Sequence, residues 1–93
     1  MMYISEYAPK VSAAIDSVIA VSGIKNKTAL ARRLDVSKQA LSKWKITGIV
    51  PAHRALQMEL ITKGEVSWKN LCPDIVDEFE NSTGVVYDSS RKS

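Results

Sequence analysis

Between Pro9 and Gly64 the apolar residues of this 93-residue chain recur at intervals of three and four, and glycine or proline interrupts the pattern at Gly23, Gly48, Pro51 and Gly64. That period belongs to helices, because one face of a 3.6-residue turn returns after three or four positions. No comparable stretch alternates, and VVY at 85–87 is too short to count as a strand. The expected fold is therefore all-α, a bundle of about five short helices.

Pro9 opens the first helix well, since its fixed φ suits the first turn and its missing N–H has no partner to lose there. Val11, Ala14, Ile15, Val18 and Ile19 form one apolar stripe, and Gly23 is a plausible C-cap. Whether the preceding Tyr3 and Tyr7 fold over the core or stay loose is left open by the sequence. Asn26 is a good N-cap for a second helix, Lys27 to Leu34, with Leu30, Ala31 and Leu34 on one side. Asp35-Val36-Ser37 reads as a turn. Asp tolerates a left-handed backbone, Val36 can plug the corner, and Ser37 can cap a third helix from Lys38 to about Ile46. That helix is expected to bury Leu41 and Trp44 beside Ala40. A fourth helix starts at Pro51 and stops at Gly64, with Ala52, Ala55, Leu56, Met58 and Leu60 assigned to its apolar face. Ser67 caps a short fifth turn through Trp68 and Leu71. After Pro73, DIVDEFENS can add a short acidic helix with Ile75, Val76 and Phe79 on one face. One domain, residues 1–82, and a flexible tail, residues 83–93, complete the expected organisation.

Charge is distributed unevenly along these helices. Residues 1–22 carry one Lys against Glu6 and Asp16, a balance of −1. Residues 23–54 carry eight Lys and Arg against Asp35 alone, a balance of +7, and residues 55–93 carry four against seven, a balance of −3. The net +3 thus conceals a basic middle third, the kind of local field that attracts a polyanion.

Two helices joined by a tight turn inside that basic third point to a helix-turn-helix. Such a pair needs a small residue at the crossing, a plug at the corner and apolar anchors on the second helix, whose outer face stays polar. Ala31, Val36, and Leu41 with Trp44 meet those needs. Lys38, Gln39, Ser42 and Lys43 are left as base-reading candidates, since Lys can donate to guanine, Gln can bond adenine in a bidentate manner and Ser can serve either role. Lys27, Arg32, Ser37, Lys45 and Arg54 are expected to contact phosphates, which fix register without reading sequence.

The run TALARRLDVSKQALSKWKITGIVPAHRALQMELITKGEVSWKNLCPD resembles the Cro-type repressors of lambdoid phages, in particular the YdaS-like branch, which is also described as antitoxins. The shared pattern is an ALA-x-x-L helix, a V-S-x-x-x-L-S-x-W helix, then G-x-[IV]-P-x-x-R-A-x-x-[MI]-E-x-[LI]-T-x-G and a closing L-x-P-D. The resemblance implies a λ-repressor-like fold and a phage or prophage transcriptional regulator that binds operator DNA near its own gene. It also places Lys38, Gln39, Ser42 and Lys43 where the family's base-reading residues sit. Asp35 departs from the glycine that many members carry at the turn.

Other functions find little support in these residues. His53 stands without a second titratable group, a glycine-rich phosphate loop or metal-ligand spacing, so no enzyme activity, cofactor or metal is expected. Glu59 is expected to make a structural bond or an ion pair with Arg54 or Arg33, and Cys72 to be a buried hydrophobe. No apolar run approaches the ~20 residues of a membrane span, and the N-terminus lacks a signal peptide's features, so a cytoplasmic, nucleoid-associated location in a bacterial host is expected. Operator DNA is the expected partner, bound by a homodimer assembled on it. The alternative is an antitoxin that neutralises a toxin partner through its C-terminal segment. Residues 74–82, with Ile75, Val76 and Phe79, are the candidate oligomer surface, or they pack on the core.

Overall fold

The computed structural model describes residues 6–86, with side chains through Glu80. Six helices follow one another: α1 (Ala8–Ser22), α2 (Lys27–Leu34), α3 (Lys38–Thr47), α4 (Ala52–Ile61), α5 (Trp68–Leu71) and α6 (Pro73–Val86). The described residues contain no strand. The count agrees with the expected bundle of about five short helices, the acidic segment forming α6 from Pro73 directly after the single turn of α5. That last helix runs to Val86, past the residue at which a tail was expected to begin; residues 87–93 and Tyr3 lie outside the described residues.

The core is built from one stripe of each helix. Val11, Ile15 and Val18 of α1 are sealed from solvent against Leu30 and Leu34 of α2, Leu41 of α3, Met58 of α4 and Leu71 of α5. Burying each such side chain contributes roughly 1.5–3 kcal/mol before the entropy of ordering it. α1 packs on α3, α4 and α5, and α2 packs on α3 and α4, so α3 is held from two sides.

The fourth helix is rotated relative to expectation. Ala55, Met58 and Thr62 are buried, whereas Ala52 is exposed, Leu56 is 48% exposed and Leu60 is 77% exposed. Apolar residues line both sides of α4, so spacing alone does not decide which side turns inward. Arg54 decides it: its Nη1 donates to the carbonyl oxygen of Leu34 at 2.7 Å, which rotates the following Ala55 and Met58 toward the core. Thr62 is satisfied inside, its Oγ1 donating to Glu59 O at 3.0 Å and accepting from Val66 N at 3.1 Å.

Gly48 closes α3 at φ +74°, and its backbone lies against the start of α1. A β-carbon placed there would lie 2.6 Å from Ala8 N and 2.8 Å from Tyr7 C. Both the left-handed backbone and the close approach therefore require glycine. Tyr7 packs over the core and donates its hydroxyl to Asp77 Oδ2 at 2.8 Å, which joins the start of α1 to α6. Cys72 is fully buried, donating to Val50 O at 3.1 Å; burial, with Asp74 nearby, pushes its thiol up to about 11, so it is not a thiolate at neutral pH.

Candidate nucleic-acid interface

The basic third of the chain folds into α2, a three-residue turn and α3. Asn26 caps α2, its Oδ1 accepting from Ala29 N at 2.9 Å, and Ser37 caps α3, its Oγ accepting from Ala40 N at 3.0 Å. Between them Asp35 adopts φ 60°, ψ 45°. Its N–H donates to Arg32 O at 3.1 Å while Val36 N donates to Ala31 O at 2.9 Å, the two bonds of a Schellman stop. Val36 packs against the core and Ala31 is buried at the crossing. Asp thus does at this corner what glycine does elsewhere.

Leu41 and Trp44 anchor α3 inward, which turns a defined sector outward. At 100° per residue, Lys38, Ser42, Gln39 and Lys43 fall within about 140° of one another. Lys38, Gln39 and Lys43 are exposed and Ser42 is half-buried. Ile46 projects in the same sector and is 67% exposed. Sequence reasoning used Ile46 only to end the helix; its spacing of seven residues from Gln39, two turns, is the signal that places it on the outer face.

The expected phosphate contacts divide into two groups. Arg32 is exposed on α2 and, with Thr28, Val36 and Lys38, borders a cleft of about 260 Å³ along the corner. Lys27 donates from Nζ to Ser42 Oγ at 3.1 Å, which ties α2 to the outer face of α3 and leaves Lys27 two further N–H donors. Ser42 spends a lone pair on this bond, so its own O–H remains available to donate outward. Ser37 keeps its hydroxyl proton while capping.

Lys45 and Arg54 are engaged within the fold instead. Lys45 Nζ pairs with Asp16 Oδ1 of α1 at 2.7 Å, which cancels much of its local field. Arg54 spans α4 to the last carbonyl of α2 and also donates to Gln57 Oε1 at 2.9 Å, so its assignment to phosphate gives way to a structural one. Glu59 makes the structural bond expected of it, but to a backbone amide and not to an arginine: Oε1 accepts from Trp68 N at 2.7 Å and holds the start of α5. His53 is exposed at the start of α4.

The surface so formed is an array of cationic and neutral donors on a rigid helix, suited to the acceptors of a polyanion. Among the described residues no group of three or more His, Cys, Asp or Glu could hold a metal ion, and no helix is long and apolar enough to cross a membrane.

Fold and surface together define a small all-helical bundle carrying a basic, capped helix pair. Residues 15–80 match the family described as "Bacterial toxin YdaS", and the chain belongs to that family. The match spans α2 and α3 entirely and takes in α4 and α5 as well. No curated protein and no solved structure matches the chain.

Proposed function

We propose that this protein is a sequence-specific DNA-binding regulator of phage or prophage origin, which inserts α3 into the major groove of operator DNA and represses transcription by blocking polymerase. The observation that carries this reading is the convergence of Lys38, Gln39, Ser42 and Lys43 on one outward sector of a helix capped at its start and anchored by Leu41 and Trp44. In this reading the four side chains meet base edges, and Lys27, Arg32 and Ser37 hold phosphates. The arrangement is λ-repressor-like, and the protein works in the host cytoplasm at the nucleoid. A single module reads few base pairs, so two copies on half-sites about 34 Å apart supply useful specificity. The role requires no enzyme activity or cofactor. Selection from a random duplex library, followed by footprinting on the DNA upstream of the protein's own gene, tests it. An enriched sequence protected in that region supports the proposal, and uniform binding to all duplexes overturns it.

The description of the family as a bacterial toxin favours a second reading, in which the chain works within a toxin–antitoxin pair as the antitoxin, its C-terminal segment neutralising a protein partner while the basic helix pair autoregulates the operon. Deletion of residues 74–93 distinguishes the two. Lost neutralisation of a co-encoded toxin with DNA binding intact favours the second reading, whereas growth unaffected by the deletion leaves repression as the function.

A further inference from the structure

Ile46 is a large apolar side chain set among charged and polar neighbours on the outer sector of α3, with two-thirds of its surface exposed. It stands seven residues from Gln39, which returns it to within about 20° of Gln39 on the helix surface, between the directions of Ser42 and Lys43. Nothing in the fold requires isoleucine there. The core side of α3 is filled by Leu41 and Trp44, Ile46 points away from it, and no hydrogen bond or ion pair depends on its side chain.

Resting on the DNA-reading role above, we infer that Ile46 is a specificity-determining residue that recognises the C5-methyl group of a thymine. The major groove offers one apolar feature on its base edges, the thymine methyl, and apolar side chains on a reading helix select it. The basic side chain of Lys43 beside Ile46 favours an anionic surface over an acid-poor protein partner, and a second copy of this chain would bring like charges together at this position. Along α3, Ile46 lies about 10 Å beyond Gln39, so the two side chains meet different base pairs. Ile46 reads shape by burial, in a half-site that Gln39 reads by hydrogen bonds.

Replacing thymine by uracil removes the methyl and nothing else, which makes the test direct. The probe is the duplex enriched by the wild-type chain from a random-sequence library, with each thymine of the half-site changed to uracil in turn. Wild-type binding is expected to fall about four-fold at one position, the effect of one buried methyl. In Ile46→Ala that position becomes insensitive to the change, while Ile46→Val retains sensitivity; unchanged melting temperatures check that the exposed substitutions leave the fold intact. If a duplex is enriched but no methyl matters, or if its effect persists in Ile46→Ala, the thymine contact is overturned and DNA reading by α3 stands. If Ile46→Ala changes self-association in sedimentation without changing base preference, Ile46 belongs to a protein contact and the inference is likewise overturned. Failure to enrich any duplex overturns the DNA-reading role itself.

Discussion

Arg54 Nη1 lies 2.7 Å from the carbonyl oxygen of Leu34, the last residue of α2, and reaches it from the first turn of α4. A cation there satisfies a carbonyl that the helix leaves unpaired and meets the negative end of its dipole. Leu34 directly precedes the turn that aims α3, so Arg54 braces the helix pair from behind.

Replacing this arginine should therefore act on stability and not on the ionic part of DNA binding. Arg54→Ala is expected to destabilise the fold by about 1.5–3 kcal/mol in urea unfolding, the range for a hydrogen bond to a charged group. At a temperature where the variant stays folded, the salt dependence of DNA binding should match that of the wild type.

Arg32 and Gln39 should show the opposite behaviour, since both side chains are exposed on the outer surface of the helix pair. Arg32→Ala is expected to weaken binding to all duplexes alike and lower the salt slope by about one unit in titrations at several salt concentrations. Gln39→Ala should cost about 1–3 kcal/mol on the selected site alone and relax preference at one base pair. An unchanged salt slope for Arg32→Ala would place its guanidinium away from phosphate.

Two glycines with nearly equal φ separate backbone strain from crowding. Gly23 (φ +78°) has nothing within 4 Å of an added β-carbon, whereas Gly48 (φ +74°) would press that atom into the backbone of Tyr7 and Ala8. Gly23→Ala should cost about 1 kcal/mol and Gly48→Ala about 2–4 kcal/mol, since strain and overpacking add at the second site. Thermal melts of the two variants check the difference.

Asp35 holds a left-handed backbone and is the acidic residue within residues 23–54. Asp35→Gly relieves the strain and removes a charge that repels phosphate. A stabilisation of up to ~1 kcal/mol and tighter, more salt-sensitive DNA binding are expected.

The Tyr7 hydroxyl is pushed up from 10.0 to about 12, first by its hydrogen bond to Asp77 and then by burial and the surrounding carboxylates. A raised value means that the fold prefers the neutral phenol. Its contribution to stability is complete below pH ~10 and is lost as the pH rises through about 12. In absorbance titrations at alkaline pH, Tyr7→Phe should remove a phenol step near pH 12, and its stability should fall less between pH 10 and 12.

What the residue pattern made legible follows from local rules. The α1 stripe, the Asn26 and Ser37 caps and the Asp35 turn all form as expected, because each depends on a few neighbouring residues. The rotation of α4 was not legible, since Leu56 and Leu60 are as apolar as Ala55 and Met58, and a side chain reaching to α2 selects between the two faces. The same limit applies at the candidate interface. The outward sector of α3 follows from helical spacing, but the partners that draw Lys45 to Asp16 and Arg54 to Leu34 lie 29 and 20 residues away.

The bond between Tyr7 and Asp77 also closes a long loop of the chain, since it links two residues 70 positions apart. Within such a loop a single break in an exposed turn leaves the two pieces in contact. A cut at the exposed Gly64–Glu65 turn should leave the six helices assembled, whereas a cut at Gly48 would release α1 from the end of α3.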